Sequence, residues 1–219
     1  MVITTLLWVW TLAFYNLPTR ALAFSAERRP RTAQGPHASA PSWSGDTVNY
    51  FAFGSNMAKE VVEGRRGVRP MREEPAVCFG HRLAFTALGL PPFEPSFASL
   101  EPSEHPGDRC HGVLYTISSL DWLRICASEG VPVGYQVTTV NVTPYAPHAL
   151  HEPLPTVTAQ VPALTLRYVQ PQSLLLNLPQ LELPPSKRYL NLLRTGAKEK
   201  GIAEPWRRKL AEIRSASVF

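Results

Sequence analysis

The chain has 219 residues and a formal net charge of +5, and 44% of its residues are hydrophobic while 18% are charged. This length and composition allow one ordinary domain with a buried core and exclude a disordered polyelectrolyte. Residues 1–45 hold four of the 22 basic residues and one of the 17 acidic residues, so they carry more than half of the net charge. Because the rest of the chain has no basic stripe, we do not expect it to bind nucleic acid.

Residues 1–23 have the layout of a signal peptide. They are strongly apolar through Tyr15, carry their first charge at Arg20 and end in Ala-Leu-Ala. The apolar run is shorter than the ~20 residues that a bilayer requires. We therefore expect cleavage after Ala23 and no stable membrane span afterwards.

Residues 24–45 are rich in Ser, Ala, Arg and Pro and nearly free of acids, which is typical of a transit peptide or a disordered segment. A signal peptide followed by such a segment resembles the bipartite presequences of plastids acquired by secondary endosymbiosis, so a plastid location is predicted. The alternative is a secreted protein with a flexible linker, in which Asn141 of an Asn-Val-Thr sequon could carry a glycan. In both cases the folded domain is predicted over residues 46–219.

Strand-like runs recur between turn signals along this domain. The predicted strands are 48–53, 77–85, 97–100, 111–116, 136–142 and 159–168. Helical patterns cover 118–130, 185–201 and 204–213, and the proline-rich region 144–185 is predicted to form surface loops. Mixed short strands with a few helices predict an α+β domain with a closed or partly closed β-barrel.

Two of the predicted helices have an apolar face. In 118–130 it comprises Leu120, Leu123 and Cys126, and this helix ends at Gly130. In 185–201 it comprises Tyr189, Leu192 and Leu193, with a stop signal at Gly196.

The strand predicted over 48–53 runs directly into Gly54-Ser55-Asn56. A turn of this kind presents backbone N–H groups with little steric cover, which suits a carboxylate or an oxyanion. It matches neither a P-loop nor a dinucleotide-binding fingerprint. Taken alone, an ordinary structural turn is the favoured interpretation.

Glu129 is the second candidate, because it lies at the end of the helix over 118–130. Acids are disfavoured at helix C-termini, where the helix dipole is negative. An acid at this position is either exposed and tolerated by solvation or held there for use.

No cofactor or metal is expected. Cys78, Cys110 and Cys126 are widely spaced and odd in number, which favours buried thiols over a disulfide framework or a zinc site. His148 and His151 lack a third ligand at a recognisable spacing.

Four blocks of sequence together resemble the gamma-glutamylcyclotransferase family. The first, YFAFGSNM at 50–57, resembles the family signature Tyr-Phe-Ala-Tyr-Gly-Ser-Asn, with Phe53 in place of the second Tyr. The segments 97–118, 128–135 and 184–213 are similar to later blocks of the family and follow in the same order.

This resemblance implies a mixed β-barrel flanked by a few helices and a cofactor-free reaction. A γ-glutamyl-amino acid would cyclise by attack of its own α-amine, releasing 5-oxoproline and a free amino acid in glutathione or γ-glutamyl metabolism. Glu129 would act as general base and acid, and Tyr135 would supply a further phenolic contact. The residues implied to bind the substrate are Tyr50, Phe51, Ala52, Phe53, Gly54, Ser55 and Tyr189.

Two alternatives stay open. The first is a non-catalytic relative that binds small γ-glutamyl ligands, and the second is a gamma-glutamylamine cyclotransferase. In each case the expected partner is a small γ-glutamyl compound, and a homodimer is also left open.

Overall fold

The computed structural model describes residues 46–151, 160–170 and 180–217. Residues 1–23, where a signal peptide is predicted, and residues 24–45 lie outside the described residues, so the expectations for cleavage and location stay predictions. Parts of the proline-rich region, 152–159 and 171–179, lie outside them too. Within the described ranges, no helix is long and apolar enough to cross a membrane.

The described residues form seven strands. These are β1 (Thr47–Ala52), β2 (Arg72–Phe79), β3 (His81–Leu90), β4 (Glu94–Pro102), β5 (Arg109–Ser118), β6 (Tyr135–Pro144) and β7 (Val161–Tyr168). Five of them close a barrel in the order β1-β5-β2-β6-β7. Neighbouring strands are antiparallel except at the closure, where β7 runs parallel to β1 and Tyr50 lies opposite Leu164. The predicted mixed β-barrel is therefore confirmed.

The single strand predicted over 77–85 is wrong. Gly80 adopts a φ of 68° and divides the run into β2 and β3. This left-handed conformation is readily available to glycine, which has no Cβ to clash with its own backbone. β2 stays in the barrel, whereas β3 pairs with β4 to form a separate two-stranded sheet.

In the part of the chain that the structure describes, three helices flank the barrel: α1 (Ser119–Ser128), α2 (Lys187–Glu199) and α3 (Glu204–Glu212). Serine caps the first two, because Ser118 Oγ accepts from the N–H of Asp121 and Ser186 Oγ accepts from that of Tyr189, each at 3.0 Å. Such caps satisfy backbone donors that the first helical turn leaves without partners. After β1 the chain forms a 3₁₀ turn (Ser55–Met57) and a short π-helix (Glu60–Arg65).

Most of the apolar face expected for α1 does not face the core, although Cys126 of that face packs against it. Leu120 and Leu123 are 60% and 62% exposed, whereas Trp122 and Ile125 are buried. Both pairs have helical spacing, so periodicity alone could not choose between them. Packing against the barrel determines which pair is buried, because the Trp122 ring packs on Tyr50 of β1 with centroids 5.4 Å apart.

In α2 the predicted apolar face is buried, but Gly196 is not a stop. The helix continues to Glu199, and Gly196 is buried where α2 approaches the turn after β1. A Cβ added at Gly196 would lie 2.5 Å from the backbone nitrogen of Ala58. Glycine is therefore required here for close packing of two backbones.

Gly196→Ala is expected to destabilise the protein, although alanine usually favours a helix over glycine by about 1 kcal/mol. The methyl group would meet backbone atoms, and overpacking of this kind costs about 1–3 kcal/mol or more. Urea and thermal unfolding measure the change. Gly64→Ala is the control, because a Cβ there meets nothing within 4 Å. Equal stability of the two variants would contradict the close approach of α2.

His111 of β5 is fully buried beside α3. Its ring stacks on Trp206 with centroids 5.0 Å apart, and its Nδ1 lies 2.8 Å from the hydroxyl of Tyr145. Burial, followed by the charges of Arg109 and Lys209, lowers the pKa of His111 from 6.5 to about 3. The folded protein therefore keeps this imidazole neutral through most of the acid range.

The wild type is expected to lose stability as pH falls from 6.5 towards 3, because unfolded His111 takes up a proton that the folded state does not bind. The maximal slope for one such proton is about 1.4 kcal/mol per pH unit. His111→Phe keeps an aromatic ring and should show a shallower decline in urea unfolding measured between these limits. His105→Gln, at an exposed position, should follow the wild type. A decline in His111→Phe as steep as in the wild type would contradict the assignment.

Candidate active site

One pocket opens where β1 runs into the 3₁₀ turn. Its lining comes from β1 and the turn, from β4, β6 and β7, from the end of α1 and from α2. The lining residues are Tyr50, Phe53, Gly54, Ser55, Asn56, Phe97, Ala98, Glu129, Tyr135, Leu166 and Tyr189.

Most of the residues singled out in the sequence meet in this pocket. They are Tyr50, Phe53, Gly54, Ser55, Glu129, Tyr135 and Tyr189. Phe51 and Ala52 were also expected there but are not among its lining residues. Phe51 is fully buried, and its backbone carbonyl accepts a 2.8 Å hydrogen bond from Thr165 Oγ1. Ala52 is likewise buried in the barrel, opposite Val113 of β5. Both residues therefore belong to the barrel wall.

Glu129 is held in place at the pocket by two donors. Its Oε1 accepts from Arg66 Nη2 at 2.7 Å and from Asn56 Nδ2 at 3.2 Å. The side chains of Arg66 and Glu129 are only 5% and 10% exposed. The alternative of a solvated acid at an exposed helix end is therefore wrong.

Arg66 also explains why an acid is tolerated at this helix end. Its Nη1 donates to the carbonyl of Ser128 at 3.3 Å, in the last turn of α1. A cation at a helix C-terminus interacts favourably with the dipole and with the terminal carbonyls. The positive charge of the guanidinium thus compensates both the negative end of the helix dipole and the negative charge of the Glu129 carboxylate.

Sequence reasoning missed Arg66, because nothing in the pattern separates it from Arg65. Arg65 pairs with Glu60 at the surface, where the two side chains are 33% and 57% exposed. Two adjacent arginines on a short helix take different directions, and only the packed structure shows which one reaches Glu129.

Asn56 joins the carboxylate to a phenol. Its Nδ2 donates to the hydroxyl of Tyr50 at 2.9 Å as well as to Glu129, and the residue is only 6% exposed. The role of this side chain was also missed by the sequence analysis, although Asn56 was quoted as part of the turn. Burial, followed by the charge of Glu129, raises the pKa of Tyr50 well above its usual value, so its hydroxyl stays protonated.

The backbone of Ala98 in β4 holds two further phenols. Its N–H donates to the hydroxyl of Tyr189 at 3.1 Å, and its carbonyl accepts from that of Tyr135 at 2.8 Å. Burial raises the pKa values of both tyrosines, so both are neutral at physiological pH.

The pocket has a single charged residue in its lining, Glu129. In the described part of the chain, no group of three or more His, Cys, Asp and Glu side chains could hold a metal ion. The three cysteines are free thiols, with Cys78 and Cys110 buried and Cys126 partly buried. The arrangement can therefore transfer a proton and donate hydrogen bonds.

A double-mutant cycle tests the close approach of Gly54 to Tyr189. A Cβ at Gly54 would lie 3.1 Å from the Tyr189 hydroxyl oxygen, closer than ordinary van der Waals contact. Gly54→Ala should therefore destabilise the wild type, and destabilise the Tyr189→Phe protein less. Residues in contact couple by about 0.5–3 kcal/mol, which urea unfolding of the four proteins can resolve. Additive effects would mean that the two groups do not touch.

Comparison with known proteins gives relatives in sequence and in fold. Gamma-glutamyl cyclotransferase gliK of Claviceps purpurea is 32% identical over 160 residues, which cover 71% of this chain and 65% of that protein. The gliK protein of Aspergillus fumigatus is 29% identical over 68% of this chain and 56% of its own length. This chain thus spans between about half and two thirds of these relatives. No family model matches it.

A solved structure named gamma-glutamyl cyclotransferase has a TM-score of 0.60 to this chain, at 21% identity, over 78% of this chain and 90% of its own. At that identity the likeness shows the fold alone. The barrel, the order of the four sequence blocks and the sequence relatives agree. In sequence and in fold, the chain is similar to the gamma-glutamylcyclotransferase-like family.

Proposed function

We propose that this protein is a gamma-glutamylcyclotransferase that converts a γ-glutamyl-amino acid to 5-oxoproline and a free amino acid. The observation that carries the proposal is one buried carboxylate, Glu129, in the same pocket as the Gly54-Ser55-Asn56 turn and three protonated phenols. The names of the sequence relatives support the same general activity. No metal, nucleotide or nucleophilic side chain is needed for this reaction.

The reaction is intramolecular, so the chief task of the pocket is to hold the substrate in a ring-closing pose. Well-oriented intramolecular reactions gain about 7–11 kcal/mol over their bimolecular equivalents. Gly54 and Ser55 bring main chain to the pocket wall with little side-chain cover, which suits the α-carboxylate or the tetrahedral oxyanion. The hydroxyl of Tyr50 accepts from Asn56, so its own proton is available to a substrate oxygen.

Glu129 supplies the proton transfers. The α-ammonium of the substrate is inert until it loses a proton, and a carboxylate within reach can accept it. The amine then attacks the γ-carbonyl carbon, and the bond from that carbon to the leaving nitrogen breaks. Two protons leave the α-nitrogen and two reach the leaving amine, so Glu129 accepts and returns a proton twice and ends ionised.

Phe53 bears on which substrate is accepted. It stands where the family signature has Tyr, lines the pocket and is 6% exposed. Together with Phe97 and Leu166 it gives the pocket an apolar wall without a hydroxyl at this position. A panel of substrates that includes γ-glutamyl-alanine and ε-(γ-glutamyl)-lysine identifies the leaving amine.

Wild-type protein is expected to release 5-oxoproline from at least one member of this panel, measured by chromatography. Glu129→Gln should lower kcat by about 10²–10⁴-fold, the usual contribution of general acid–base catalysis, because the amide cannot accept the proton. Glu60→Gln is the matched control, because Glu60 is exposed and pairs with Arg65 at the surface. This variant should behave as the wild type. Undiminished activity in Glu129→Gln would refute the mechanism. Calorimetric binding of γ-glutamyl compounds without turnover would instead support the non-catalytic alternative.

A further inference from the structure

We propose that Arg66 and Asn56 are positioning residues that hold one oxygen of Glu129, so that protons move through the other oxygen, Oε2. This inference rests on the proposed function and assigns a role to two residues and to each carboxylate oxygen. Arg66 acts on the substrate through Glu129, and Asn56 acts through Glu129 and Tyr50.

The two donors converge on a single oxygen atom. Arg66 Nη2 and Asn56 Nδ2 both donate to Oε1, at 2.7 Å and 3.2 Å. An ionised carboxylate only accepts hydrogen bonds, so the amide nitrogen of Asn56 must be the group that faces it. With two donors already on Oε1, one of them charged, that oxygen is the poorer site for a proton.

Oε2 is in the opposite situation. Within the described residues Oε2 has no hydrogen-bond partner. It is also not fully buried. Because Glu129 lines the pocket, this oxygen is available to a bound substrate. A substrate ammonium could reach this oxygen without breaking either bond to Oε1.

Both donors are themselves anchored. The Arg66 guanidinium also binds the Ser128 carbonyl, and its backbone N–H donates to the carbonyl of Val61 at 2.9 Å. The backbone carbonyl of Asn56 accepts from the hydroxyl of Tyr115 at 3.2 Å. A clamp fixed at both ends restricts rotation of the carboxylate, which keeps Oε2 turned towards the substrate.

Asn56 adds a second geometric constraint. Because one amide nitrogen binds both Glu129 and the hydroxyl of Tyr50, it sets the distance between the base and this phenol. During ring closure the base acts at the α-nitrogen while a donor is required at the γ-carbonyl oxygen. The amide therefore aligns two groups that act on adjacent parts of the substrate.

The test uses the full chain with Arg66→Met and Asn56→Leu, which remove the donors and keep similar side-chain bulk. We expect kcat to fall on the order of 100-fold in each, the scale of loss from a small misplacement of a catalytic group. KM should stay close to that of the wild type. Glutaryl-alanine, which lacks the amine and cannot cyclise, should inhibit wild type and variants with similar Ki. That inhibition shows an intact pocket, which general structural damage would not preserve.

Matched controls separate the clamp from a general effect of the substitutions. Arg65→Met removes a neighbouring arginine that pairs with Glu60, and Asn191→Leu changes an exposed asparagine on α2. Both controls should retain wild-type kcat. Should Arg66→Met fail to fold, Arg66→Lys retains a positive charge opposite Glu129. Its kcat should still fall by about tenfold or more, because an ammonium group lacks the planar fork that binds two acceptors.

The clamp would be overturned if Arg66→Met kept the wild-type kcat, or if Arg66→Lys did so where that variant is needed. A wild-type kcat in Asn56→Leu would overturn it as well. So would a loss of glutaryl-alanine inhibition equal to the loss of kcat, since the residues would then only maintain the pocket. Failure of the proposed function looks different, because the wild type itself would release no 5-oxoproline. Activity in the wild type with unaffected variants would remove this inference and leave the proposed function standing.

Discussion

The ion pair between Arg66 and Glu129 is the interaction on which the pocket depends. Both side chains are almost fully buried, and either charge left alone in that position would carry a desolvation cost of several kcal/mol. The segment after the π-helix and the end of α1 must therefore pack together at a fixed distance. That constraint places a carboxylate at the end of the barrel, beside the turn that follows β1.

A second constraint comes from the close approach of α2 to the same turn. Gly196 lets the helix backbone lie against Ala58, and Gly54 leaves space for the hydroxyl of Tyr189. The hairpin of β3 and β4 contributes Ala98, whose backbone binds two of the phenols. Helix, hairpin and barrel strand thus meet at one place, and each brings a different chemical group.

The fold could be predicted from the sequence to the extent that local patterns were unambiguous. The barrel strands other than β2, and the buried face of α2, follow from alternation and helical spacing, and the resemblance in four blocks supplied the barrel. The wrong predictions lie where the local sequence pattern fits two different structures equally well. The run over 77–85 reads as one strand until Gly80 turns the chain, and either face of α1 could have been buried.

The candidate site was likewise predicted only in part from the sequence. Glu129 and the turn at Gly54-Ser55-Asn56 were candidates from their local context, an acid at a helix end and a glycine at a strand end, but only the resemblance to the family implied a role for them in the site. Phe51 and Ala52 were assigned to the pocket because they lie in the same motif, yet they belong to the barrel wall. Contiguity along a strand does not mean a shared role.

The sequence by itself indicated the resemblance to the family, the α+β barrel and the carboxylate and phenols that meet in the pocket, because these follow from residue types and their order. Only the tertiary structure decided which arginine pairs with Glu129, which of its oxygens is held, and why glycine is needed at 196. Those outcomes depend on distances between residues more than 60 positions apart in the chain, such as Arg66 and Glu129. Local pattern carries no information on such distances, since they arise only when the barrel closes and the helices pack against it.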